Sequence, residues 1–159
     1  TRTRLPVVTI IIMETFLAKM RRLQGVRKVL LLEEAWKAIA KEGMASYVRY
    51  LFKTVRKYFG EAIVVTQEVE DIISSPIVKE SIINNADCKI LLDQRKYRNK
   101  FDQIQTLLGL TDKERAQVLS INLSNDPARR YKEVFISLGG VQSAVYATEV
   151  SDEEYLVRP

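Results

Sequence analysis

The sequence predicts an α/β fold with a largely parallel sheet, helices on both faces and an antiparallel hairpin at one edge. Three observations carry that reading. Continuous apolar runs at Val29 to Leu32, Ala62 to Thr66 and Cys88 to Leu92 have strand length and suit strands covered on both faces. Segments with helical spacing separate them, the order expected of a parallel sheet built from crossover units. Near the end, two alternating runs flank Gly139-Gly140, the signature of a hairpin.

Taken in order, Ile12, Phe16, Met20 and Leu23 recur at steps of three and four, which predicts a helix over Thr9 to Leu23, although Val7 to Ile12 alone would also suit a buried strand. After the first apolar run, Met44, Tyr47, Val48, Leu51, Phe52, Val55 and Tyr58 line one side of an amphipathic helix whose other side carries Arg49, Lys53, Arg56 and Lys57. Gly60 stands where a helix stop belongs. Pro76 opens a further helix over Ile77 to Ile83, and Phe101, Ile104, Leu107 and Leu108 mark another. Thr111 and Glu114 have the spacing of a capping box. Val134, Ile136 and Leu138 alternate toward a two-residue Gly-Gly turn, and Val141, Ser143 and Val145 alternate away from it. No repeat, low-complexity stretch or linker interrupts the chain, so residues 1–150 are expected to form one domain and 151–159 a frayed tail.

Composition narrows the chemistry. The 159 residues are 47% hydrophobic and 28% charged, which is globular and neither disordered nor fibrous. Lys and Arg total 25 against 20 Asp and Glu, a formal charge of +5 that suits an anionic partner without demanding one. Histidine is absent, which excludes Ser-His and Cys-His nucleophile pairs, histidine general bases and histidine-ligated metal sites. Any reaction must run on carboxylates, Lys, Arg and amides. The single Cys88 cannot form an internal disulfide and reads as a small buried residue of a reducing compartment. Leu5 to Met13 is too short to span a bilayer and lacks the cleavage pattern of a signal peptide. With no initiator Met, the chain reads as a piece of a longer protein.

Three constellations could carry chemistry. Val29-Leu30-Leu31-Leu32-Glu33-Glu34-Ala35-Trp36 is an apolar strand ending in two carboxylates, and in open α/β sheets ligands bind at the carboxyl ends of strands. One carboxylate could hold a hydrated Mg²⁺ and the other orient and deprotonate an attacking water; equally, the pair could favour the positive end of a helix. Thr66-Gln67 ends the next run, where an amide that both donates and accepts could bridge a γ-phosphate and a water, or simply lead the chain out of the sheet. Arg56-Lys57-Tyr58 closes the helix between those runs, its cations suited to the helix dipole or, for Arg56, to insertion into a neighbouring subunit's site. Trp36, Tyr47, Phe52 and Tyr58 read as packing residues.

Glu33-Glu34-Ala35-Trp36, Arg56-Lys57-Tyr58, Thr66-Gln67 and Asn85-Ala86-Asp87-Cys88-Lys89-Ile90 together resemble the C-terminal part of the conjugation ATPases of type IV secretion systems, in particular the TraG-type ATPases of conjugative transposons. The resemblance runs from about Lys28 to Tyr155. It implies a RecA-like P-loop NTPase fold, ATP and Mg²⁺ as cofactors, and the Walker B role for this pair: Glu33 serving Mg²⁺ through water and Glu34 acting as the catalytic carboxylate. It also implies Gln67 as sensor and Arg56 as arginine finger. Where the family usually has Asp, Glu33 is one methylene longer, a change that water-mediated contact tolerates. The implied partners are other subunits of a hexameric ring and inner-membrane components of the mating channel, with the protein on the cytoplasmic face of that membrane.

One departure is large. None of the glycines begins or completes a G-x-x-x-x-G-K-[ST] loop, so nothing in these residues cradles the α- and β-phosphates. The fragment is therefore expected to hold half an ATPase site and to bind ATP weakly or not at all by itself. A separate nucleic-acid candidate is Asp93 to Lys100, where Arg95, Lys96, Arg98 and Lys100 surround Tyr97; its ordinary reading is a solvated loop. Two rivals to the ATPase reading are a non-catalytic module that binds DNA or a channel subunit and a coupling-protein-like DNA pump.

Overall fold

The computed structural model describes residues 4–33, 49–67, 83–123, 131–149 and 151–157. The chain divides into two compact units, Thr1–Ala86 and Asp87–Pro159. The expected helix Ile77 to Ile83 lies almost wholly outside the described residues, as do Glu34, Trp36, Met44 and Tyr47.

In the first unit, helix α1 (Arg4–Arg22) ends in Lys19, Arg21 and Arg22, cations that suit the negative end of a helix. Its buried stripe is Met13, Leu17 and Met20, with Phe16 and Ile10 packed alongside. Ile12 and Leu23, expected on the inner face, are exposed, because α1 is apolar around much of its circumference and spacing alone does not choose the stripe. Strands β1 (Lys28–Glu33) and β2 (Gly60–Val65) pair in parallel, Lys28 opposite Gly60 and Glu33 opposite Val65. Helix α2 (residues 49–54) tightens into a 3-10 turn over Val55–Tyr58 before β2. Leu51 and Val55 join the α1 stripe, and Leu30, Leu32, Tyr58 and Ala62 close that core.

Helices cover one face of this parallel pair. Val29 and Leu31 of β1 and Ile63 and Val65 of β2 are exposed on the other, so the expectation of strands covered on both faces is not met among the described residues. The helix stop is also displaced by one residue from the expected Gly60. Phe59 takes the left-handed conformation at φ 54°, ψ 40°. Gly60 serves a different need, since a Cβ there would lie 2.6 Å from Val55 Cγ2 and 3.1 Å from the Val55 carbonyl oxygen.

In the second unit, β3 (Cys88–Leu91) does not extend a parallel sheet, contrary to expectation. It pairs antiparallel with β4 (Tyr131–Leu138), which pairs antiparallel with β5 (Gln142–Glu149). Apolar cross-strand partners set this register, Ile90 facing Ile136 and Leu91 facing Phe135. Helices α3 (Phe101–Leu108) and α4 (Asp112–Ser120) contribute Phe101, Ile104, Leu107 and Val118 to the buried residues, together with Phe135 of β4. Arg115 braces the two helices, pairing with Asp102 and accepted by Gln105 at 2.9 Å. Lys89 donates to the Leu108 carbonyl at 2.9 Å, satisfying an oxygen that the end of α3 leaves open.

The hairpin has its two positive-φ glycines, Gly139 and Gly140, as expected. Val141 is an additional loop residue, because Leu138 pairs with Gln142. Buried positions on β4 are Phe135 and Ser137, and the alternating set Val134, Ile136 and Leu138 takes the opposite face. Cys88 lies opposite Leu138 and is exposed, a correction to its expected burial. Residues 151–157 are not a frayed tail either: α5 (Asp152–Val157) begins with Glu154 N–H donating to Ser151 Oγ at 3.2 Å and Ser151 N–H donating to Glu154 Oε2 at 3.2 Å.

Candidate functional site

The parallel register brings Glu33 and the Thr66-Gln67 exit to the same edge. Glu33 ends β1 opposite Val65, and Thr66 and Gln67 follow directly. Alternation puts Glu33 on the face of Val29 and Leu31, away from the α1 core, and its side chain is exposed. Gln67 is exposed beside it in sequence order. A carboxylate and an amide at the carboxyl edge of parallel strands can serve a metal's water shell and report on a bound phosphate. Among the described residues no group of three or more Asp, Glu, Cys or His side chains forms a metal cage. That donor set fits Mg²⁺ held through water and substrate phosphates better than a dedicated protein cage.

Arg56 sits at the opposite edge. It lies in the 3-10 turn that precedes the first residue of β2, and β1 runs five residue steps from that edge to Glu33, about 17 Å at ~3.3 Å per residue. Arg56 and Glu33 of one chain therefore do not converge. Lys28 fastens the turn to the sheet twice, its N–H donating to the Phe59 carbonyl at 3.0 Å and its Nζ to the Tyr58 carbonyl at 2.7 Å. Arg27 pairs with Glu61 next to it, and that carboxylate favours the charged guanidinium. Arg21 donates to the Tyr50 hydroxyl at 3.0 Å and lies over that ring.

Phe59 is the feature of this edge that sequence reasoning missed. A left-handed conformation costs an ordinary L-residue on the order of 1 kcal/mol, and a bulky aromatic rarely occupies it. Nothing in the spacing signalled it, because Gly60 next door supplied the conventional stop.

The basic segment is ordered as 3-10 turns over Arg95–Lys100, which corrects the expectation of a loop. Asp93 grips Arg95, whose Nε donates to the carboxylate at 2.8 and 2.9 Å. Those hydrogen bonds hold Asp93 below the usual carboxylate range. Lys96 lies 5.2 Å from the Tyr97 ring centre, and Arg98 and Lys100 are exposed. The segment thus keeps cations at its surface but commits Arg95 internally. Nearby, Asn122 in the left-handed region exchanges hydrogen bonds with Glu133 at 2.7 and 3.0 Å.

The second missed cluster surrounds Glu114. Its carboxylate receives the Thr111 N–H at 2.8 Å, the Thr111 hydroxyl at 3.0 Å and the buried Ser137 hydroxyl at 3.1 Å. These donors, the Thr111 backbone first, hold its pKa below the ordinary value despite burial. The capping-box spacing announced Thr111; Ser137, far along the chain, had no local signal.

A family match and a structural relative imply an α/β P-loop NTPase fold, to which the parallel pair β1–β2 belongs. VirB4 of Thermoanaerobacter pseudethanolicus superposes with a TM-score of 0.58 at 25% identity, covering 86% of this chain and 34% of that one. The family model of the TraG P-loop domain matches residues 1–158, and the chain belongs to that family. The type IV secretion system protein CagE of Helicobacter pylori is 33% identical over 92 residues, 58% of this chain and 9% of CagE. The chain thus spans about a third of the VirB4 structure and a tenth of CagE. Among the described residues no helix is long and apolar enough to cross a membrane.

Proposed function

We propose that this chain is the C-terminal part of the ATPase domain of a type IV secretion, conjugative-transfer ATPase, with residues 1–150 as the ATPase module. The observation that carries the reading is the meeting of Glu33 with Thr66-Gln67 at the carboxyl edge of a parallel pair, in a member of the TraG P-loop family. Glu34 polarises and deprotonates the attacking water, Gln67 orients that water against the γ-phosphate, and Glu33 holds the water shell of Mg²⁺. Bound Mg²⁺ would supply charge neutralisation for the phosphates. The α- and β-phosphates need a phosphate loop, which these 159 residues do not contain.

Because Arg56 precedes the amino end of β2 while Glu33 ends β1 at the opposite edge, about 17 Å of strand away, Arg56 acts on the site of a neighbouring subunit in a ring. Such a ring would work at the cytoplasmic face of the inner membrane with components of the mating channel. The non-catalytic DNA-binding alternative draws on Arg95, Lys96, Tyr97, Arg98 and Lys100, and the grip of Asp93 on Arg95 weakens it.

Complementation tests the shared site. In a form extended upstream to include a phosphate loop, Arg56→Ala and Glu34→Gln should each abolish turnover. Mixing the two variants should restore part of it, because some interfaces then pair an intact Glu34 with an intact Arg56. Activity that never recovers on mixing, with both variants folded and assembled, would count against a finger supplied by a neighbour.

A further inference from the structure

We infer that Lys28 is the positioning residue for Arg56: its ammonium holds the backbone of the 3-10 turn that carries the guanidinium, and so sets where that group stands. This rests on the reading that Arg56 completes a neighbour's site. Lys28 opens β1 on the face of Leu30 and Leu32, the side that closes the α1 core, where an apolar residue would continue the stripe. A charge drawn partly out of water there needs a bonded partner. It has one in the Tyr58 carbonyl, which accepts from Nζ at 2.7 Å, a charge-assisted hydrogen bond.

That bond goes to the turn and not to the sheet. The register of β1 against β2 is already fixed by main-chain pairing, Lys28 opposite Gly60, and Lys28 N–H already donates to the Phe59 carbonyl at 3.0 Å. On its other side the turn is anchored by Val55, buried with Leu51 in the α1 core, and it closes on itself where Phe59 N–H donates to the Arg56 carbonyl at 3.2 Å. The backbone of Arg56 is thus held between a core residue before it and the Lys28 contacts after it, while its side chain is exposed. A cation that must meet charge developing in another subunit acts best when it is placed beforehand, so the bond that fixes its backbone bears on the rate.

The test uses the upstream-extended protein with Lys28→Met, Lys28→Gln and Lys28→Arg. Met and Gln remove the ammonium, and Arg keeps a charged donor. For Met and Gln, kcat should fall on the order of tenfold to a hundredfold, as for a group misplaced by ~1 Å, while KM for Mg-ATP and the unfolding midpoint stay near wild type. Arg should recover most of the loss. Turnover per Lys28→Met subunit should rise on mixing with Glu34→Gln, whose intact Lys28 and Arg56 then serve its site, and should not rise on mixing with Arg56→Ala. Unchanged kcat in both Met and Gln, a loss accounted for by unfolded protein, or equal recovery with either mixing partner would overturn the inference. Arg56→Ala is scored separately: if it keeps turnover, the reading of Arg56 fails and the inference with it, whereas an inactive Arg56→Ala beside a fully active Lys28→Met overturns the positioning role alone.

Discussion

Glu114 is an acid kept ionised by its donors, and that has a pH consequence. Its folded pKa is lowered, chiefly by the Thr111 backbone N–H, below an unfolded value of about 4.3. Its stabilisation is therefore complete above the unfolded pKa and is lost as pH falls through the folded one. Urea unfolding should show stability falling below about pH 4, and Glu114→Gln should flatten part of that slope while costing about 1–2 kcal/mol at pH 7. A variant with the wild-type acid profile would show that other carboxylates carry it. Gly60 makes a second prediction at this scale. Gly60→Ala pushes a Cβ into Val55 and should destabilise by about 1–3 kcal/mol, with part recovered in the Val55→Ala background. Additive losses in the double mutant would place the strain elsewhere.

At the scale of elements, local chemistry was legible and choice of face was not. The Thr111-Glu114 box, the helix from Phe101 and the Gly139-Gly140 turn follow from residue type at fixed offsets, and each is present. The partner of β3 depends on cross-strand contacts distant in sequence, so an apolar run that suited a parallel strand proved antiparallel. Hairpin parity failed for a related reason: β4 is apolar on both faces, and helices cover the one bearing Phe135. Phe135→Ala should cost about 3–5 kcal/mol in chemical denaturation and Ile136→Ala clearly less. Equal costs would contradict the assigned face. Of the candidate site, Glu33 and Gln67 were legible as strand ends, whereas the left-handed backbone at Phe59 goes with hydrogen bonds to the Arg56 carbonyl and from Lys28 N–H, a long-range partner that no local pattern encodes.

For the whole molecule, the account rests on a polarity of the parallel pair: acid and amide at one edge, Arg56 at the other. On the proposed reading, the phosphate loop and a second copy complete the site. The 159-residue chain alone should accordingly bind and hydrolyse ATP far more weakly than a form carrying the loop, as isothermal titration and phosphate release would show. The most direct measurement is steady-state Mg-ATP hydrolysis by that longer form, wild type against Glu34→Gln, at matched folding. The account predicts that the substitution removes turnover by several orders of magnitude. Equal turnover by the two forms, or none by either, would contradict it and leave a binding module in its place.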